Sequence, residues 1–99
     1  MTNSDISFLT ELETIIQQRL NEGAEESYTA RLVASGEKRV AQKVGEEAVE
    51  LALAAISGDR QEQLDEAADL VFHLLVLLNS KGLSLTDVSA VLKQRHTNS

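Results

Sequence analysis

The sequence predicts an all-α protein of four or five helices, built on a central antiparallel helical hairpin. Three observations carry that prediction. The stretch Val44 to Ile56 is dominated by Ala, Glu and Leu and lacks proline, a composition that favours helix. A second stretch, Glu66 to Leu78, repeats its acidic-then-apolar pattern across the turn signal Ser57-Gly58-Asp59. Nowhere does an alternating run bounded by turn residues mark a strand.

The elements follow in order. Ser4 or Asp5 is positioned to cap a first helix from about Asp5 to Asn21. Phe8, Leu9, Leu12, Ile15, Ile16 and Leu20 recur in it at helical spacing, and Gly23 should end it. After a polar loop, Ser27 caps a short helix, Tyr28 to Ala34, broken by Ser35-Gly36. The third helix runs from about Glu37 to Ser57. Asp59 and Glu62 form a capping-box-like start for the fourth, which runs to about Ser80 and stops at Lys81-Gly82. Ser84 and Asp87 open a short fifth helix through about Gln94, and His96 to Ser99 should fray. The 99 residues suffice for one domain, 1–99, with no repeat or linker. Phe8, Tyr28 and Phe72 are the only aromatics, so the core must be aliphatic.

The polar side chains of Val44 to Ile56 are Glu46, Glu47 and Glu50, which fall within an arc of roughly 100°. The remaining surface is apolar, and Leu51 to Ile56 carries no polar side chain, so this helix should be buried on most sides. Other helices or a second subunit must then cover it. Glutamates rarely accept burial unless paired or bound to a cation. On the fourth helix Glu66, Asp69 and His73 share one face. Glu50 and Glu66 lie eight residues either side of Gly58, and Glu47 and Asp69 eleven. In an antiparallel hairpin both acidic pairs are level, about 12 to 17 Å from the turn. One acidic stripe is usually a solvated face. Two level stripes on otherwise apolar helices point instead to a divalent-metal site. His73, on an apolar helix, is expected to be a hydrogen-bonded core residue level with Lys43.

Net charge is −7, which argues against a nucleic-acid partner. A metal can still bridge acids to the phosphates of a small molecule. There is no cysteine, which excludes disulfides, thiolate metal sites and a cysteine nucleophile. The N-terminus lacks signal-peptide character, and the longest near-apolar run, nine residues, is too short for a bilayer. A cytoplasmic protein with no membrane partner is the expectation. Hard oxygen ligands suit Mg²⁺, with Mn²⁺ as a substitute. A di-iron bundle would want Glu-x-x-His motifs, which are absent, and two histidines, one in the tail, do not make a zinc site. No P-loop is present. Arg39 and Lys43, one face with the acids, and Lys38 beside them admit two readings: ion pairing within the helix, or a phosphate-binding extension of the metal site. Four or five acids could hold one or two ions, neutralise phosphates and orient a water, with a carboxylate off the metal as base.

Glu46-Glu47-x-x-Glu50, followed after fifteen residues by Glu66-x-x-Asp69, resembles the signature of the all-α nucleotide pyrophosphohydrolases, the MazG-type and dimeric dUTPase superfamily. The flanks sharpen it. Ser27 to Leu32, Gly36 to Arg39, Lys43 to Glu50, Glu66 to Leu70, His73 to Leu78, Gly82 to Leu85 and Asp87-Val88 resemble the phosphoribosyl-ATP pyrophosphatase family, over roughly residues 8 to 96. The resemblance implies hydrolysis of phosphoribosyl-ATP to phosphoribosyl-AMP and pyrophosphate with Mg²⁺, the second step of histidine biosynthesis. It implies a homodimer of helical subunits, in a form not fused to the cyclohydrolase that acts next. It implies metal ligands at Glu47, Glu50, Glu66 and Asp69, with Glu46 a fifth acid or water-orienting base. Lys43, with Arg39 and Lys38, would take the substrate phosphates. Ser27, Tyr28 and Thr29 resemble family positions near the site. A housecleaning hydrolase of other nucleoside triphosphates and a non-catalytic helical dimerisation module are the alternatives.

Overall fold

The computed structural model describes residues 4–23, 25 and 27–97. A 3-10 turn, Ser4–Ser7, leads into α1 (Phe8–Leu20), followed by α2 (Tyr28–Ala34), α3 (Glu37–Ser57), α4 (Arg60–Ser80) and α5 (Leu85–Thr97). There is no strand among the described residues. None of the described helices is by itself long and apolar enough to cross a membrane.

Helices α3 and α4 form the antiparallel hairpin, and their contact is the most extensive in the fold. Its turn is locally encoded. A Cβ at Gly58 would lie 2.9 Å from the Ala54 carbonyl oxygen, so only glycine fits without a shift. The Glu62 N–H donates to Asp59 Oδ1 at 2.9 Å and the Asp59 N–H donates to Glu62 Oε1 at 3.0 Å, a reciprocal capping box. Ser27 Oγ accepts from the Ala30 N–H at 3.1 Å and starts α2. Gly82, at φ +76°, closes α4, and Ser84 and Asp87 exchange hydrogen bonds at the start of α5.

Two helix boundaries differ from expectation. Neither Ser4 nor Asp5 caps α1: both lie within the 3-10 turn, and the N-cap is Ser7. Ser7 has helical φ and ψ of −67° and −17°, so the turn winds directly into the helix with no extended capping residue. Helix α5 continues to Thr97, past Gln94, where His96 Nδ1 donates to the Leu92 carbonyl at 2.9 Å. Residues 98 and 99, the end of the expected frayed tail, lie outside the described residues.

The core is gathered at one end of the hairpin. Ile16, Leu32, Val40, Leu75 and Val76 are buried together, with Leu12, Leu20, Val71 and Phe72 packed around them. Helices α1 and α2 cover the C-terminal half of α4 and the start of α3. The expectation that Leu51 to Ile56 is buried on most sides therefore fails within this chain. Val49, Leu53 and Ile56 are 56–84% exposed, and no helix among the described residues covers that side of α3.

A buried acid ties α5 to that same end. Glu13 is 8% exposed. Its Oε2 accepts from the Leu85 N–H at 2.8 Å and from Asn79 Nδ2 at 3.1 Å, joining α1, α4 and the N-terminus of α5. Gln17 donates to Asn79 Oδ1 at 2.8 Å and completes the network. Spacing offered one sign of this residue: Glu13 sits on the apolar stripe of Leu9, Leu12, Ile16 and Leu20.

Candidate active site

Helices α3 and α4 bring Glu47, Glu66 and Asp69 together. One carboxylate oxygen of each lies within 4.8 Å of the other two. Glu47, with a side chain 12% exposed, and Glu66 are half-buried, whereas Asp69 is exposed. Glu50 is not part of this group. It lines, with Glu66, an open cavity of about 180 Å³ toward the Gly58 turn. Desolvation, followed by repulsion from Glu50, Asp69 and Glu47, raises the Glu66 pKa above the ordinary carboxylate value.

The basic side chains divide. Lys43 Nζ lies 3.3 Å from Glu47 Oε2 and 3.7 Å from Glu46 Oε1. Its hydrogen bond to Glu47 holds its pKa above the usual lysine value, with the nearby Tyr28 acting in the same direction. Glu46 lies at the rim, its side chain 46% exposed. A hydrogen bond from Gln42 at 2.7 Å, with the charges of Lys43 and Arg39, lowers its pKa. Lys38 and Arg39 are exposed on the first turns of α3, and neither forms an ion pair with a described residue.

His73 is a core residue held at both nitrogens. It is 6% exposed. Nδ1 lies 2.8 Å from the Asp69 carbonyl oxygen and Nε2 2.9 Å from Tyr28 Oη. Tyr28 and Phe72 both meet its ring edge-on. Of the residues near the resembled family positions, Ser27 caps α2 and Thr29 is buried, 5% exposed, so both have structural work. The Tyr28–His73 pair was not visible to helical spacing, because its members are 45 residues apart on different helices.

Glu47, Glu66 and Asp69 present hard oxygen donors with an excess of negative charge, and that donor set fits a divalent cation such as Mg²⁺ or Mn²⁺. A helical hairpin with such a cluster at its centre has the form of an all-α pyrophosphohydrolase, an enzyme of the hydrolase class. Residues 9–96 match the model of the family described as phosphoribosyl-ATP pyrophosphohydrolase. The chain belongs to that family. It is 59% identical over 87 residues to the phosphoribosyl-ATP pyrophosphatase of Pyrobaculum arsenaticum, covering 88% of this chain and 93% of that relative. It is 55% identical over 89 residues to the histidine biosynthesis bifunctional protein HisIE of Photobacterium profundum, covering 90% of this chain and 43% of the relative. The HisIE of Pasteurella multocida is 55% identical over 96 residues, 97% of this chain and 48% of the relative. The chain thus spans less than half the length of the bifunctional relatives it matches.

The raised pKa of Glu66 has a testable sign. The folded protein keeps that proton to higher pH than the unfolded chain does. The stability this contributes is fully present below the unfolded carboxyl pKa and is lost as pH rises through the raised folded value. Glu66→Gln is therefore expected to melt at a higher temperature than wild type in chelator at ~pH 7, with the gap closing toward ~pH 4. Thermal melts across that range check it; a variant less stable than wild type at the neutral end would contradict the repulsion.

Proposed function

We propose that this protein hydrolyses phosphoribosyl-ATP to phosphoribosyl-AMP and pyrophosphate, the second step of histidine biosynthesis, with Mg²⁺ as cofactor and Mn²⁺ as substitute. The observation that carries the reading is the convergence of Glu47, Glu66 and Asp69 from two helices of a family member. Its similarity to the Pyrobaculum arsenaticum phosphoribosyl-ATP pyrophosphatase over nearly the whole of both chains supports the same substrate.

Glu47, Glu66 and Asp69 would hold the ion, with Glu50 available from the cavity side. An ion held there would supply charge neutralisation for the phosphates and would lower the pKa of a water toward neutrality. The protein's own groups do the rest. Water adds across the α–β phosphoanhydride, one P–O bond forms and one breaks, and pyrophosphate departs. Glu46, kept ionised by Gln42 and Lys43, orients the water and takes its proton on a carboxylate oxygen. Lys43, already shared between two carboxylates, shifts its ammonium to the phosphates when they arrive. Arg39 and Lys38 extend positive charge along the same helix for the outer phosphates. The exposed Val49, Leu53 and Ile56 of α3 are the face we assign to a homodimer in the cytoplasm.

Steady-state pyrophosphate release from phosphoribosyl-ATP tests this reading. Turnover should vanish in excess chelator and return with added Mg²⁺ or Mn²⁺. Full activity in chelator would refute the cofactor, and no activity under any condition would refute the substrate.

A further inference from the structure

The hydrogen bonds around His73 fix the direction of a proton. The Asp69 carbonyl oxygen can only accept, so Nδ1 carries a hydrogen, and in the neutral ring Nε2 is then an acceptor. Tyr28 Oη must then donate its single proton to Nε2, 2.9 Å away. Lone pairs alone remain on that oxygen for any other partner. Turning the hydroxyl elsewhere would strand a buried acceptor.

Through His73 that oxygen is linked to the backbone of Asp69, a member of the acidic cluster. His73 follows Asp69 by one turn of α4, about 6 Å along the axis. Tyr28 is 45% exposed as a residue, so part of the side chain is open to a ligand, while its hydroxyl leans on the buried His73. A phosphate near neutral pH offers chiefly acceptors and finds no donor here. The ribose that bears the triphosphate is bonded directly to the α-phosphate, and its hydroxyls are donors.

We propose that Tyr28 is a specificity-determining residue that accepts a hydrogen bond from a ribose hydroxyl of the nucleotide, and that His73 is the positioning residue that keeps it an acceptor. The inference rests on the nucleotide-hydrolase reading above. It gives the enzyme a means of preferring ribonucleotides to their deoxy counterparts without a contact to the base.

The test is competition. ATP, 2′-deoxy-ATP and 3′-deoxy-ATP are measured as competitors of phosphoribosyl-ATP turnover. Against wild type, one of the deoxy competitors should bind about five- to tenfold more weakly than ATP, the loss of one hydrogen bond. In Tyr28→Phe that difference should disappear, because ATP weakens to the level of the deoxy competitor. His73→Leu should erase it as well. His73→Gln, whose amide oxygen can accept from the phenol, should restore it. A purely structural role would weaken all three competitors alike and preserve their ratio. Tyr28→Phe alters one partly exposed atom, so it remains decisive if His73→Leu fails to fold. Normal turnover with wild-type discrimination in Tyr28→Phe, or no discrimination in wild type, would overturn this proposal alone. Failure of wild type to hydrolyse phosphoribosyl-ATP would overturn the functional reading together with it.

Discussion

Glu47→Gln is expected to lower kcat/KM for phosphoribosyl-ATP by about 10³-fold or more. That is about 4 kcal/mol of transition-state stabilisation, the scale of the charge compensation a divalent ion supplies. Glu47 has a side chain only 12% exposed and lies on the opposite helix from Glu66 and Asp69. Replacing its carboxylate by an amide removes charge while keeping shape. It also releases Lys43 from its 3.3 Å partner. The helical fold should survive, because the change relieves repulsion among the remaining acids. Circular dichroism would verify the fold, and titration calorimetry should show Mg²⁺ affinity falling with activity. Wild-type rates in the variant would remove Glu47 from the metal site.

Glu13→Ala is expected to be the most damaging substitution for stability outside the aliphatic core. It deprives the Leu85 N–H and Asn79 Nδ2 of their shared acceptor. Hydrogen bonds to a charged acceptor are worth about 1.5 to 3 kcal/mol each, and the α5 N-terminus loses a favourable negative charge. A total loss of at least about 3 kcal/mol follows, with a melting temperature lower by on the order of 15 °C or more for a chain of this size. Glu13→Gln keeps one acceptor oxygen and should cost about 1 kcal/mol. Denaturant titration reads both. A Glu13→Ala loss below about 0.5 kcal/mol would mean that the network does not hold α5 in solution.

The parts of this structure legible in the sequence are those written in local chemistry. Ser27, the Asp59–Glu62 box and the Ser84–Asp87 pair each act within three residues, and they set the starts of α2, α4 and α5 as expected. Where a 3-10 turn replaced a capped start, at Ser4–Ser7, spacing gave no warning. Counting about Gly58 gave residue height along the hairpin and so found the acidic cluster. It did not give azimuth around each helix, and that is why Glu50 falls outside the closest group while Glu47 meets both Glu66 and Asp69. Glu13–Leu85 and Tyr28–His73 are separated by 72 and 45 residues, and no periodicity reports such pairs. The exposed Leu53 and Ile56 mark the opposite case: the apolar pattern was legible, but not what covers it.

Phosphorus NMR of the products tests the central claim most directly. The purified protein with Mg²⁺ is offered phosphoribosyl-ATP and, separately, a panel of ordinary nucleoside triphosphates. Pyrophosphate, not orthophosphate, is expected from phosphoribosyl-ATP, with little from the panel. Pyrophosphate chiefly from the other triphosphates would contradict the biosynthetic substrate, and no product from any of them would contradict the hydrolase itself.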